Sequence, residues 1–306
     1  MADGRFAPSP TGDLHLGNLR TALLAWLFAR SAGSRFLIRM EDLDTATVRA
    51  EMYDRQLADL RALGLDWDDD VVRQSDRLDR YHDAIGALVR AGATYPCFCT
   101  RREIQEAASA PNGPAPDGAY PGTCRDLTAA ERRAREASGR PPALRLRGDG
   151  APVTFTDRQR GECTGLVDDV VVRRNDGTPA YNLAVVVDDV AQGVAEVVRG
   201  DDLLTSTPRQ LFVARALALT PPTYAHVPLV LAPDGSRLAK RHGSVTLADR
   251  ADRGQSAAIV AGVLAASAGL VAPGTVLGPA DLRALVDDFE PGRLPTTPWI
   301  VPADDL

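Results

Sequence analysis

Leu16, Leu19, Leu23, Leu24, Leu27 and Phe28 recur at helical spacing and predict a helix from about His15 to Ser31 with one buried face. A short strand, Arg5 to Ala7, precedes it across the turn Pro8-Ser9-Pro10-Thr11-Gly12-Asp13, and an apolar strand, Arg35 to Met40, follows. Strand, turn, helix and strand open a βαβ unit, which implies a parallel sheet with ligands at the carboxyl ends of its strands. The turn before His15 is therefore where a ligand would sit.

Further along, residues Ala46 to Leu63 and Leu78 to Ala91 pattern as two amphipathic helices, the second leading into Thr94-Tyr95-Pro96-Cys97-Phe98-Cys99. Ala107 to Gly122 is rich in Pro, Gly and Ala and reads as an irregular loop, and Glu131 to Ser138 as a charged, exposed helix. From Leu144 to Arg199 the pattern turns to strands, with Asn175-Asp176-Gly177 as a hairpin turn between Val170-Val171-Val172 and Tyr181 to Val187. Thr207 to Leu217 is helical, Val227 to Leu231 is a short apolar strand, and the Ala-rich chain after Ser244 is helical again, ending near Pro302. No internal repeat is present.

Composition narrows the class. With 44% hydrophobic and 25% charged residues over 306 positions, the chain can build a sizeable core and more than one domain. No stretch approaches the roughly 20 apolar residues that span a bilayer, and no signal-peptide pattern opens the chain, so a cytoplasmic protein is expected. A net charge of −6 argues against a broad basic surface for indiscriminate nucleic-acid binding. Four cysteines, Cys97, Cys99, Cys124 and Cys163, are too few for a disulfide scaffold and suit a reducing compartment.

One residue breaks the charge pattern. Lys240 is the only lysine beside 34 arginines, in Ser236-Arg237-Leu238-Ala239-Lys240-Arg241-His242-Gly243-Ser244. Arginine replaces lysine well on a solvated surface, less well where a compact ammonium must reach a phosphate as a point charge. At the other end of the chain, His15-Leu16-Gly17-Asn18 stands at the first turn of the first helix, where backbone N–H groups and the helix dipole favour phosphate. Either feature alone is weak, because a leftover lysine and a histidine cap are both common.

Together, Arg5-Phe6-Ala7-Pro8-Ser9-Pro10-Thr11-Gly12, His15-Leu16-Gly17-Asn18 and Arg237-Leu238-Ala239-Lys240-Arg241 resemble the motifs of class I aminoacyl-tRNA synthetases, specifically the glutamyl branch. Arg39-Met40-Glu41-Asp42-Leu43-Asp44, Tyr181-Asn182-Leu183-Ala184, Val187-Asp188-Asp189 and Val198-Arg199-Gly200-Asp201-Asp202 extend the resemblance from Gly4 to about Ser244. It implies an α/β fold: a Rossmann-type parallel-sheet catalytic domain with an inserted zinc-containing α+β subdomain and a small C-terminal helical region. The expected divisions are 1–95 and 199–245 for the two catalytic halves, 96–198 for the insertion and 246–306 for the helical region.

For the chemistry, the resemblance implies His15 and Lys240 as catalytic residues matching the HIGH and KMSKS motifs, with Gly17, Asn18 and Arg237 joining them at ATP. Asn18 stands where a second histidine is usual, and of the KMSKS lysines only the second survives. Arg5, Ala7, Ser9, Glu41, Tyr181 and Arg199 match the glutamate site. Arginines there suit bidentate recognition of carboxylate, Glu41 can accept from the ammonium, and a neutral glutamine amide would leave buried charge poorly paired.

Cys97, Cys99, Tyr120 and Cys124 resemble the branch's zinc-binding segment. They imply one structural Zn²⁺ per chain, since three thiolates and a phenolate close a tetrahedron, while Mg²⁺ would accompany ATP. Cys163 falls outside that pattern and is expected as a small core residue.

Only 62 residues follow Ser244, too few for the helical anticodon-reading domains of ordinary glutamyl enzymes. The chain thus resembles the truncated glutamyl-type paralogues that activate L-glutamate and attach it to queuosine at the wobble position of tRNA(Asp). The implied partners are L-glutamate, ATP and queuosine-containing tRNA(Asp), and a monomer is the default expectation. The competing readings are a truncated enzyme charging tRNA(Glu), a small-molecule nucleotidyltransferase of the same superfamily, and a non-catalytic RNA-binding paralogue.

Overall fold

A computed structural model describes residues 3–108, 119–148, 150–238, 243 and 245–303. Strand β1 (Gly4–Phe6), helix α1 (Leu16–Ser31) and strand β2 (Phe36–Met40) form the βαβ opening, with β1 and β2 parallel and Arg5 opposite Leu37. Helix α2 (Ala50–Ala62), strand β3 (Val72–Arg73) and helix α3 (Leu78–Arg90) follow. The leucine-rich stripe of α1 is buried as its period requires, but Ala22, Ala25 and Trp26 on its other faces are buried too. A helix enclosed on all sides is explained by its neighbours: one side lies on the sheet, another against a C-terminal helix.

Helix α2 starts at Ala50, later than the apolar pattern suggests, because residues 44–48 form a turn. Thr47 N–H donates to Asp44 O, and Arg49 N–H donates to Pro10 O, so this stretch braces the turn after β1 rather than continuing the helix.

The middle of the chain builds a small antiparallel sheet from β4 (Thr94–Cys97), β5 (Ala143–Leu146) and β8 (Val170–Arg173). Helices α4 (Arg101–Ala108) and α5 (Ala129–Ala137) flank its loops, α5 starting at a Thr128–Glu131 capping box. Of the expected Pro/Gly-rich loop, residues 109–118 lie outside the described residues. The hairpin of β6 (Pro152–Asp157) and β7 (Gly161–Leu166) attaches to the main sheet.

The turn at Asn175–Gly177 is present, with Gly177 at φ 89° and Arg174 N–H donating to Thr178 O. It does not close a hairpin onto a second strand, however. Tyr181–Ala191 is helix α6. Its apolar run mimics a strand because Leu183, Ala184, Val185 and Val186 are all buried, which erases the helical period. Asp188 and Asp189 at its far end are buried as well.

Strand β9 (Glu196–Gly200), helix α7 (Thr207–Ala216) and strand β10 (Thr223–Val227) complete the main sheet, ordered β3-β2-β1-β9-β10-β6-β7 and parallel except for the β6–β7 hairpin. The apolar run at 227–231 divides at Pro228, which lacks an N–H for the ladder: β10 ends at Val227, and β11 (Val230–Leu231) pairs instead with β12 (Trp299–Ile300). Helices α8 (Leu247–Asp252), α9 (Ala257–Ser267) and α10 (Pro279–Ala284) follow the lysine motif. Among the described residues no helix is long and apolar enough to cross a membrane.

Helix α9 contributes Val260, Ala261, Leu264 and Ala265 to the same core as α1, and the buried Arg20 of α1 donates to Ser267 Oγ at 3.0 Å and Pro228 O at 2.8 Å. Gly262 on α9 permits a close approach: a Cβ there would lie 1.7 Å from Thr275 O. Gly262→Ala should therefore force the 270s loop away and cost about 1–3 kcal/mol of stability in denaturant unfolding. An unchanged midpoint would contradict this packing.

Candidate active site

The carboxyl ends of β1, β2, β9 and β10 open onto one cavity of about 600 Å³. Its lining includes Arg5, Ala7, Ser9, Glu41, Tyr181 and Arg199 together with His15, Gly17, Asn18 and Arg237, so residues more than two hundred positions apart in sequence meet in one place. Lys240 lies outside the described residues, but both flanks of its motif are placed: Leu238 lines the cavity, and Val245 O accepts from Leu16 N–H at 2.8 Å.

His15 is the N-cap of α1. Gly17 N–H and Asn18 N–H donate to its Nδ1 at 3.1 and 3.3 Å, and His15 N–H donates to Asn18 Oδ1 at 3.2 Å, closing a reciprocal capping box. Since Nδ1 is an acceptor here, the neutral ring carries its proton on Nε2, and burial holds the pKa below the ordinary histidine value. His15 thus caps the helix through Nδ1 while its Nε2 carries the ring proton. Gly17 is needed first by that ring, because a Cβ would sit 2.9 Å from His15 Cε1.

The turn between β1 and α1 is held from outside by a residue that the sequence pattern does not single out. Gln56 of α2 is buried and donates its amide to Ser9 O at 3.0 Å and Gly12 O at 2.7 Å. It reads as an ordinary polar position on an amphipathic helix. Its glutamine length, not any motif, lets it reach two carbonyls.

Under the cavity floor lies a buried charge network. Asp189 of α6 accepts from Arg39 Nη1 at 2.7 Å and from Arg5 Nε at 3.3 Å, while Arg39 Nη2 reaches Glu41 Oε1 at 3.2 Å. Asp188 beside it accepts from Gln74, Arg77 and Tyr81 at 2.7–2.8 Å. Burial pushes the Asp189 carboxyl up, but Arg39 and Arg5 overcome it and hold its pKa below the usual carboxylate range. At Glu41 the balance goes the other way: burial outweighs Arg39 and Arg5 and raises the pKa. An arriving ammonium would favour its ionised form.

Arg199 of β9 is held differently. Its Nε donates to His226 Nε2 at 3.0 Å, and its Nη2 to Thr207 Oγ1 at 2.9 Å. His226 Nδ1 lies 2.6 Å from Asp157 Oδ2. Burial keeps the His226 pKa below the ordinary 6.5 despite that carboxylate. Arg237 is mostly exposed, and its Nη2 lies 3.2 Å from Asp202 Oδ2, so its guanidinium is paired across the cavity mouth.

A second cluster sits on the small sheet. Cys97, Cys99 and Cys124 bring their sulfurs within 4.8 Å of one another, Cys99 and Cys124 at 3.5 Å, with Tyr120 Oη 3.4 and 3.7 Å from Cys97 and Cys99. Tetrahedral zinc with Zn–S bonds of about 2.3 Å separates its sulfurs by roughly 3.8 Å, so this donor set could hold a metal ion. Arg145 lies over the Tyr120 ring at 3.7 Å. Burial raises the Cys99 thiol to about 12 and raises the Tyr120 phenol, while hydrogen bonds from Tyr120 and Arg145 bring Cys97 below its usual value against burial. Cys163 is only half-buried, on the edge strand β7, not in the core as its small apolar side chain suggests.

The fold and the site together define a class. The family model for the catalytic domain of class I tRNA synthetases (E and Q) matches residues 2–263, and the chain belongs to that family. It is 61% identical over 303 residues to the glutamyl-Q tRNA(Asp) synthetase of Nocardia farcinica, covering 99% of this chain and 94% of that one. It is 49% identical to the glutamyl-Q tRNA(Asp) synthetase of Symbiobacterium thermophilum, over 100% of this chain and 98% of that protein. Among solved structures, a glutamate tRNA ligase from Elizabethkingia meningosepticum in complex with its amino acid superposes with a TM-score of 0.82 at 25% identity, covering 99% of this chain and 68% of that one.

The depressed His226 pKa has a consequence for stability. The folded state keeps this ring neutral, whereas the unfolded chain takes up a proton at about 6.5, so its contribution is complete above about pH 6.5 and is lost as pH falls through the lower folded value. His15 acts in the same direction. The His226 contribution to unfolding free energy should therefore decline from pH 8 to 5, so that the wild type loses more stability, or gains less, over that range than His226→Gln does. Parallel pH profiles for the two proteins would contradict the assignment.

Proposed function

We propose that the protein activates L-glutamate with ATP, without tRNA, and transfers the glutamyl group to queuosine in tRNA(Asp). The observation that carries this reading is the shared cavity, lined both by the glutamate-compatible set Arg5, Glu41, Tyr181 and Arg199 and by the His15-capped start of α1. The names of the two glutamyl-Q relatives, each similar over nearly its full length, supply the acceptor.

In the first step an α-carboxylate oxygen of glutamate bonds to the α-phosphorus of ATP, the bond from that phosphorus to the oxygen bridging to the β-phosphate breaks, and pyrophosphate leaves. The substrate's side-chain carboxylate is suited to the guanidiniums of Arg5 and Arg199, and its ammonium to Glu41, with Ser9 and Tyr181 adding neutral hydrogen bonds and Ala7 backbone contact. His15 Nε2–H, Arg237 and Lys240 are the groups assigned to the phosphates, with the positive end of the α1 dipole behind them. Gly17 and Asn18 shape that turn. Mg²⁺ supplies further charge neutralisation when bound with ATP. In the second step a hydroxyl of the queuosine cyclopentenediol attacks the acyl carbon, AMP leaves, and the hydroxyl proton passes to the released phosphate or solvent. No protein nucleophile is required, so positioning and electrostatics carry the rate.

Cys97, Cys99, Tyr120 and Cys124 would hold one Zn²⁺ with no open position, a structural rather than a catalytic role. Cys124→Ser should lower bound zinc below one per chain in metal analysis of the purified protein, and the wild type should release one zinc when its thiols are titrated with a mercurial. A wild type that stays metal-free after refolding with excess zinc would refute the site.

For the activation step, ATP–pyrophosphate exchange should depend on glutamate, proceed without tRNA, and not respond to glutamine. Lys240→Ala should lower exchange by about 10²–10³-fold, the size expected when one transition-state charge contact is removed, with an unchanged melting temperature. Exchange at the wild-type rate would refute the role of Lys240, and exchange driven equally by glutamine would refute the assignment of the pocket.

A further inference from the structure

Two arginine arrangements in the cavity differ in one respect. Arg5 and Arg39 share the carboxylate of Asp189 directly. Arg199, also buried, makes its hydrogen bonds among the described residues to neutral acceptors: the imidazole of His226, the hydroxyl of Thr207 and, at 3.5 Å, the carbonyl of Leu203. The carboxylate of Asp157 lies on the far side of the His226 ring. We infer that Asp157 and His226 form a positioning pair that fixes Arg199 as a cation without a direct counter-ion and so makes it a determinant of the site's preference for carboxylate over neutral amide. This deepens the reading above and rests on it.

The hydrogen-bond bookkeeping allows one arrangement. Arg199 Nε–H can only donate, so His226 Nε2 must accept. The ring proton then lies on Nδ1, donated to Asp157 Oδ2. Asp157 is itself committed: Oδ1 accepts from Gln159 N–H and Arg160 N–H, both at 2.9 Å, and His226 N–H lies 3.2 Å from both oxygens. All three side chains are within 5% of full burial.

On the arginine, Nε and Nη2 share one edge of the fork, and that edge faces His226, Thr207 and Leu203. Among the described residues nothing takes Nη1, which leaves the other end of the guanidinium for a ligand in the cavity that Arg199 lines. A carboxylate in place of His226 would orient the arginine equally well but would neutralise the charge that must select an anion.

The arrangement also specifies what the chain's own topology contributes. Asp157 ends β6, the strand that runs parallel to β10 beside His226, with Tyr224 opposite Asp157. The β6–β7 hairpin therefore contributes to substrate selection from a strand that never touches the cavity.

Three variants separate positioning from mere support. His226→Gln places an amide oxygen where Nε2 accepts, His226→Leu removes the acceptor, and Asp157→Asn reverses it. In the last case the two backbone N–H groups at Oδ1 force the new NH₂ to the Oδ2 position. That NH₂ then donates to Nδ1 and moves the ring proton to Nε2, against Arg199. His226→Leu and Asp157→Asn should each raise KM for glutamate about tenfold or more, the scale of one lost charge-assisted hydrogen bond, and narrow the preference for glutamate over glutamine. Their KM for ATP and their kcat in pyrophosphate exchange should stay within about threefold, and His226→Gln should restore glutamate KM.

¹⁵N NMR of labelled histidines at pH 7.5 should find one ring, lost in His226→Gln, protonated on Nδ1 with Nε2 bare. A His226 ring protonated on Nε2 would overturn the inference, as would a folded Asp157→Asn with unchanged glutamate KM. A wild type that exchanges pyrophosphate with no glutamate dependence would overturn the functional reading instead, and the NMR result would still decide the pair.

Discussion

Asp189 is the constraint on which the site depends. It is a single buried carboxylate at the end of α6, and it receives Arg39 from β2 and Arg5 from β1, so a helix and two neighbouring strands converge on one charge. A buried ion is costly unless it is paired or fully hydrogen-bonded, and removing one partner of a buried pair typically costs about 3–5 kcal/mol. That penalty sets the depth and rotation of α6 against the sheet. With α6 fixed, Tyr181 at its first turn reaches the cavity. With Arg39 fixed, Glu41 two residues on is pinned by the same guanidinium. The network therefore orders the groups assigned to the substrate before any substrate arrives, which is what low reorganisation cost at a charged site requires.

The other half of the cavity is built from backbone more than from charge. The β1–α1 turn takes support from Gln56, from Arg49 N–H on Pro10 O, and from Glu41 N–H on Pro8 O. The start of α1 is closed by His15 and Asn18, and tied through Leu16 N–H to the segment that follows the lysine motif. Two distant stretches of sequence are therefore joined by a main-chain bond beside the position assigned to phosphate.

Much of this was legible before any coordinates. The period of α1 and the apolar run of β2 are local signals, and a βαβ unit follows from them. His15 was marked by its place at a helix start, and Glu41 and Arg199 by their match to motifs of the glutamyl branch rather than by their residue types. What escaped is physically coherent. Tyr181–Val187 read as a strand because burial on several sides hides the helical period. Pro228 split an apolar run that composition alone made continuous. Gln56, Thr207, His226 and Asp157 act only by holding other residues, and nothing local marks a histidine or an aspartate as an acceptor for a particular arginine. Their roles depend on strand order, with β6 beside β10 and β10 beside β9, which one sequence does not disclose.

Glutamate activated in this cavity is proposed to pass to queuosine, and every assignment above leads to that transfer. It is tested most directly by incubating the protein with labelled glutamate, ATP and purified tRNA(Asp), with and without queuosine, and with the queuosine cis-diol either intact or oxidised by periodate beforehand. Label is expected on tRNA(Asp) only when queuosine is present with its diol intact. Label on tRNA(Asp) lacking queuosine, or on the 3′ end of tRNA(Glu), would contradict it.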